Sequence, residues 1–385
     1  MRVKLKDIFD LQMGKTPSRS NLEYWNTTDY KWISIADLTK TSKYIFETKE
    51  YLSKSAIKDS GIKVIPANTV VMSFKLSIGK TAITKEDMYS NEAIMAFKDK
   101  HVINIIPEYI FYLFKYKNWE EGSNKAVMGK TLNKATLSEI EVEICSIEKQ
   151  RQIVNILDKI MSAVDGRKQE LQLLDELIKA RFVEMFGDPV KNPKGWEVVT
   201  IGDIVTEVRY GTSKPAVEGG KYPYLRMNNL TADGHLDLND LKYIDIPDDE
   251  IEKCVVRKGD VLFNRTNSIE LVGKTVVFDL QEDMIIAGYI IRVRLNKRLL
   301  PEILSQYMNL EALKDILRSM AKGAVNQANI NAQELQSIKV YIPDMELQKQ
   351  FIEMKNQVDK SKVAVQKALD ETQLLFDSLM QQYFG

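Results

Sequence analysis

At 385 residues the chain is long enough for two to three domains of about 150 residues, each able to bury a core without disulfide staples. Hydrophobic residues make up 44% and charged residues 28%, which excludes collagen-like, low-complexity and wholly disordered classes. Lysine plus arginine and aspartate plus glutamate both total 54, so whole-chain charge gives no argument for nucleic acid and any such surface must be a local patch.

The front of the chain reads as mixed α and β. Short β-branched and aromatic runs at Lys31 to Ile35, Thr69 to Phe74 and Thr81 to Ile83 are bounded by Gly, Asn, Pro and Asp, as strands joined by turns are. One helix is expected in this front, Pro107 to Lys115, opening with proline in its first turn. Residues 148–187 then read as one long helix, with Ile153, Leu157, Ile160, Val164, Leu171, Leu174, Ile178 and Met185 at the spacing of a helix-pair seam. Asp188 to Gly195, with its prolines, glycine and polar character, reads as a linker. The second front repeats the pattern with strands at Val255 to Phe263, Thr275 to Phe278 and Met284 to Leu295 and one helix, Pro301 to Arg318. Residues 346–385 close the chain as a second long helix, its seam Phe351, Val358, Val365, Leu369, Phe376, Leu379 and Tyr383, diluted by Lys355, Lys362 and Thr372.

The chain is in effect written twice. Leu5 to Ile8 answers Ile201 to Ile204, Gly14 to Pro17 answers Gly211 to Pro215, Trp32 to Leu38 answers Tyr224 to Leu230, and Gly79-Lys80-Thr81 answers Gly273-Lys274-Thr275. The offset drifts through the fronts but is constant across the tails, where Gln150 pairs with Gln348 and Phe186-Gly187 with Phe384-Gly385. Surface loops absorb insertions and a helix cannot, so constant register marks the tails as helices. Two apolar stripes in one chain most simply bury each other. The expected fold class is therefore α+β: two similar mixed α/β modules separated by two long helices packed as an antiparallel coiled coil.

Catalytic chemistry finds no support in the residues. The Gly-Lys-Thr tripeptides at 79–81, 129–131 and 273–275 lack the earlier glycine of a phosphate-cradling loop and read as strand-edge turns with solvated lysines. No methyltransferase-like stretch or glycine-rich cofactor turn occurs. Asp248, Asp249, Glu250 and Glu252 read as an exposed acidic turn, with a metal nuclease as the alternative. Cys145, Cys254, His101 and His235 are too few and too scattered for a zinc site or a triad, so no metal is expected. With no targeting segment and no run of about 18 apolar residues, a soluble cytoplasmic chain without a membrane partner is expected.

What remains is binding by loops. Residues 1–147 carry 22 basic and 18 acidic residues, and 188–345 carry 20 and 23. In the second front Arg226, Asn228 and Asn229, then Asn264, Arg265, Thr266 and Asn267, follow matched strands and offer arginine and amides for bidentate pairing with guanine or adenine edges. The first front offers a different set in Ser34, Asp37, Ser73, Lys75 and Ser77. Lys15, Lys80, Lys125, Lys130, Asn133 and Lys134, against Thr212, Ser213, Lys214, Lys274, Lys322, Asn326, Gln327 and Asn329, add phosphate or base contacts. For each residue the plain alternative is a turn former or a solvated side chain. A scaffold for two protein ligands is the other non-enzymatic reading.

The order Gly14 to Ser18, Tyr24-Trp25, Trp32 to Ile35, Ile78 to Ala82, Gly129 to Lys134, Glu148 to Ile153 and Phe182 to Pro189, with counterparts in the second half, resembles the specificity subunit of type I restriction-modification systems across essentially the whole chain. Lys149 and Leu347 interrupt the Glu-Gln usual before the isoleucine. The resemblance implies a DNA-binding subunit without catalysis or cofactor of its own: target recognition domains at 1–147 and 196–345, helical spacers at 148–187 and 346–385, and a linker at 188–195. Its partners would be double-stranded DNA, two modification subunits using S-adenosylmethionine, and two ATP- and magnesium-dependent motor-nuclease restriction subunits. Each domain would read half of an asymmetric, interrupted target.

Overall fold

The computed structural model describes residues 1–75, 77–119, 132–324 and 327–385. The chain packs into two units, residues 1–166 with 368–385, and residues 167–367. Both expected long helices form, Ile147–Phe186 and Met345–Phe384, each of 40 residues. The early part of one packs with the late part of the other in both units, so the pair is antiparallel. In the first unit Ile153 and Leu157 share a core with Phe376 and Met380, and in the second Ile178, Phe182 and Phe186 share one with Phe351 and Val358. The seam departs from its reading at the C-terminal end of the central helix, where Phe182 and Phe186 are fully buried and Met185 only half-buried. There the helix is covered by the globular module as well as by its partner helix, with Tyr307 stacked edge-on to Phe182, so a two-helix periodicity no longer describes the burial. Lys362, which dilutes the second seam, pairs with Asp175.

Two larger sheets form the body of each unit, beside smaller two- and three-stranded ones such as Arg2–Lys4 with Glu141–Glu143 and Glu197–Thr200 with Lys339–Ile342. In the first, a five-stranded sheet runs Phe9–Met13, Ile94–Asp99, Val70–Ser73, Thr81–Thr84 and Tyr44–Ile45, and a three-stranded one Glu50–Leu52, Tyr30–Ile33 and Tyr89–Ser90. In the second, one four-stranded sheet runs Val205–Tyr210, Ile290–Leu295, Val261–Asn264 and Thr275–Val277, and the other Lys242–Ile244, Tyr222–Leu225, Met284–Ile286 and Val255–Val256. Helices Pro107–Tyr116 and Pro301–Met308 cover them, both with proline at the start and with continuous runs of buried side chains.

Several element expectations are corrected. The run Val255 to Phe263 is two strands in different sheets, separated by a turn in which the Asp260 carboxylate accepts Arg257 N at 2.9 Å and Gly259 takes φ 93°. Met284 to Leu295 likewise changes sheet at Ala287 to Tyr289. The helix expected over Pro301 to Arg318 breaks into Pro301–Met308 and Glu311–Met320, because the Asn309 amide donates to Thr275 O at 2.6 Å and turns the chain. Each front holds more than one helix. Ile35–Lys40 and Ala332–Ser337 both start with a capping box, Ser34 with Asp37 and Asn331 with Glu334, a pattern present in the sequence. The acidic run after Pro247 is a helix, Asp248–Cys254, whose N-terminal dipole favours three acids in the first turn. Hydrogen bonds tie the segment after Gly187 to the module: Trp196 Nε1 donates to Phe186 O at 2.8 Å, Tyr341 OH to Gly187 O at 3.0 Å and Tyr307 OH to Pro189 O at 2.8 Å.

The repeated glutamine has a structural cause. Gln150 is fully buried; its Oε1 accepts Ile106 N at 2.9 Å, and its Nε2 donates to Asn104 O and Cys145 O at 3.1 and 3.0 Å. Gln348, equally buried, accepts Leu300 N at 2.9 Å and donates to Arg298 O and Pro343 O at 3.1 and 2.9 Å. Ile106 and Leu300 are the N-caps of the proline-led helices and have no cap of their own. One amide per unit thus ties the module helix, the last strand and the long helix together, satisfying groups that would otherwise be buried unpaired.

Candidate nucleic-acid interface

The loop ends of both modules are built from the same backbone bonds. Gly14 N donates to Ile94 O and Lys15 N to Ser90 O at 3.1 and 2.8 Å, just as Gly211 N donates to Ile290 O and Thr212 N to Ile286 O at 3.2 and 2.9 Å. Chain segments cross closely here. A Cβ on Gly14 would lie 2.2 Å from Asn91 O, and one on Gly211 2.1 Å from Ile286 O, which explains the repeated glycine. A second correspondence closes the Gly-Lys-Thr turns: Gly79 N reaches Ser73 O and Gly273 N reaches Asn264 O, both at 2.9 Å, with φ values of 87° and 81°. The tripeptides at 79–81 and 273–275 are hairpin closures; the one at 129–131 lies outside the described residues. Lys80 is exposed as expected, but Lys274 is buried and donates to Met227 O at 2.9 Å, with burial lowering its pKa. Lys314, also buried, grips the same turn through Gly273 O at 2.6 Å, and burial pushes its pKa down to about 8.

Superposed in this way, the fronts place Phe74 where the second has Arg265, since Phe74 N donates to Ala93 O at 2.9 Å and Arg265 N to Tyr289 O at 3.0 Å. Around Arg265 the second module gathers Asn264, Thr266, Asn267 and Asn329. Asn264 is buried and ties Thr266 O, Tyr289 O and the Asn267 amide, while Thr266 Oγ1 donates to Asn329 Oδ1 at 3.1 Å. Thr266–Asn267 forms a sheet with Gln327–Asn329 and Lys322–Ala324, which places Lys322 and Gln327 on the same small sheet. Thr212 joins this cluster through Gly288 N, which donates to its carbonyl at 2.7 Å.

The other residues singled out lie elsewhere. Arg226 donates to Asp240, and Asn229, buried, spans Arg226 N and Asp237 O at 2.8 Å each. Asn228 and Ser213 are exposed, and Lys214 pairs with Glu250 at 2.8 Å. In the first module Ser34 and Asp37 are held in the capping box, and Ser73 Oγ donates to Ser77 O at 2.7 Å and accepts Lys80 N. Lys75 is exposed over the Phe74 ring, and Lys15 is exposed with its ammonium on Ser60 O. Asn133 caps the helix Lys134–Ser138. Lys125, Lys130 and Asn326 lie outside the described residues.

Residue-type reasoning missed Tyr210 and Tyr289, 43% and 51% exposed beside Arg265. The Arg265 guanidinium carbon sits 5.0 Å from the Tyr210 ring centroid. Their signal was positional, at the strand ends next to the crossing Gly211 and Gly288. Among the described residues no group of three or more His, Cys, Asp or Glu could hold a metal ion, and no helix is long and apolar enough to cross a membrane.

A sheet-and-helix module present twice, each copy packed on the paired long helices and varied at matched loop positions, defines a class of protein built by duplication of one module. Residues 1–176 and 193–372 each match the family model described as the type I restriction modification DNA specificity domain, and the chain belongs to that family. It is similar to the type I restriction enzyme MjaIX specificity subunit of Methanocaldococcus jannaschii, 30% identical over 250 residues, 59% of this chain and 57% of that one. It is also similar to the EcoKI specificity subunit of Escherichia coli K12, 25% identical over 289 residues, 70% of this chain and 62% of that one. The matched stretches span less than two thirds of these relatives. In fold it resembles the type I restriction-modification S subunit from M. genitalium, with a TM-score of 0.54 at 14% identity, covering 100% of this chain and 96% of that one. A chain from a structure of type I system assembly and conformational transition has a TM-score of 0.60 at 19% identity, covering 100% of this chain and 97% of that one.

Proposed function

We propose that this protein is the DNA sequence-recognition subunit of a type I restriction-modification complex, acting without catalysis of its own in the cytoplasm. Each module reads one half of an asymmetric, interrupted duplex target, and the helices set the gap and dock the modification subunits. Two modification subunits supply adenine methylation from S-adenosylmethionine on an extruded base. Two restriction subunits supply ATP- and magnesium-dependent translocation and cleavage. One observation carries the reading: the family's DNA specificity domain occurs twice, and its two copies hold different side chains, such as Phe74 and Arg265, on equivalent backbone. Same scaffold with different chemistry is what unlike half-sites require.

Methylome sequencing of cells expressing this chain with its modification subunit should yield a single bipartite motif with unlike halves. A palindromic or continuous motif would contradict the duplicated-reader account. Inserting a heptad into both helices, between Gly166 and Arg167 and between Lys367 and Ala368, keeps the helix-pair register while lengthening each helix by about 10 Å. The expected motif retains both halves and widens its gap by about three base pairs, at roughly 3.4 Å each. An unchanged gap would remove the helices from the account of spacing.

A further inference from the structure

The second module is acidic, and it spends its arginines internally. Among the described residues every other arginine between 188 and 345 is ion-paired with a carboxylate, from Arg226 on Asp240 to Arg318 on Glu311. Arg265 pairs with none. Among the described residues the one acceptor near its guanidinium is Gly288 O at 3.4 Å, at the weak end of the hydrogen-bond range, and its Nε has no partner there. An arginine carries five N–H donors, so this one is held far short of its acceptor complement.

Its position is nevertheless fixed. The backbone is tied from both sides, Arg265 N to Tyr289 O at 3.0 Å and Ile330 N to Arg265 O at 2.9 Å. The side chain rests on the Tyr210 ring, and the Tyr210 hydroxyl is itself pinned by accepting Ala332 N at 2.8 Å. A rigidly presented planar fork lacking acceptors matches a ligand edge that offers two acceptors side by side. On duplex DNA that edge is guanine O6 and N7 in the major groove.

We propose that Arg265 selects a guanine in the half-site read by the second module, with Tyr210 as its positioning residue. This rests on the DNA-recognition reading above. The first module has no counterpart, because Phe74 fills the matched backbone position, 1% exposed and without a donor. The guanine contact therefore belongs to one half of the target only. Charge balance in the rest of the module makes the choice sharper, since no neighbouring arginine is left to substitute for it.

The test is selection of a randomised duplex library by the chain assembled with its modification subunits. The wild type should enrich a motif with a G·C pair that Arg265→Gln relaxes by on the order of 10-fold or more, while the other half-site stays as sharp and so reports a folded chain. Arg265→Lys keeps the charge but loses the planar fork and the stack, so overall affinity returns without the base preference. Tyr210→Phe, which keeps the ring, should retain the preference, and Tyr210→Leu should blur it at the same base pair. The proposal is overturned if Arg265→Gln leaves every position as sharp, or if it weakens all sequences alike and lysine restores them fully, the mark of a phosphate contact. A wild type that enriches no sequence would instead sink the DNA-recognition reading itself.

Discussion

Phe351→Ala should lower the stability of the second unit by about 3–5 kcal/mol, the usual cost of removing a buried phenylalanine ring. Phe351 is fully buried, with its ring centroid 5.2 Å from Phe182 and 5.6 Å from Phe186, where the long helices meet the module. The surrounding groups come from both helices and from the module's helix and last strand, so no single element can move in to fill the space. Val363→Ala on the same helix, at a position 71% exposed, should change stability by no more than about 0.5 kcal/mol. Denaturant unfolding followed by hydrogen exchange in residues 167–367 separates these outcomes. A loss under about 1 kcal/mol for Phe351→Ala would mean that the aromatic cluster does not hold the unit together.

Gln348→Leu keeps the side-chain volume but strips three backbone groups around a fully buried amide of their partner, Leu300 N, Arg298 O and Pro343 O. Each unmade buried bond costs about 1–3 kcal/mol, so a loss of roughly 3 kcal/mol or more is expected. Gln348→Glu tests the donors separately. Its neutral carboxyl can donate to one carbonyl, whereas its carboxylate faces two of them in a buried site, which raises its pKa in the folded chain. The raised pKa fixes the sign: the recovered stability is greatest below about pH 4 and is lost as pH rises through the folded value. The same profile is expected for Gln150→Glu in the first unit, and a flat response in both variants would show that water replaces the amide.

These two residues also show how unevenly the fold can be read from the chain. The constant offset of the tails located the long helices to within one residue at each end, because helical register tolerates no insertion. Phe182 escaped the seam because the module's Tyr307, more than a hundred residues away, packs on it alongside Phe351 of the partner helix, and no local period encodes that added cover. The sheet change at Ala287 to Tyr289 was hidden inside a continuous apolar run, since both neighbouring sheets want the same residue types, whereas the one at Arg257 to Asp260 carries its own turn signal in a charged, glycine-containing tetrapeptide. The capping boxes at Ser34 and Asn331 follow a pattern present in the sequence, but by residue type Ser34 and Asp37 read as DNA contacts instead, since a capping pair fits that description equally well. Composition cannot separate a capping serine from a base-contacting one; only the position of the next turn does.

The candidate interface divides in the same manner. Duplication, the glycines at the strand crossings, the paired tails and the unlike chemistry of the two loop sets follow from linear order, because each rests on a local geometric demand or on a repeat that order preserves. Which arginine remains without a carboxylate does not. Arg226 and Arg265 are equivalent by residue type and by their places after strands, yet Asp240 occupies one and Tyr210 supports the other. Long-range packing decides which charges neutralise each other, so the donor left for a ligand emerges only when the chain has folded.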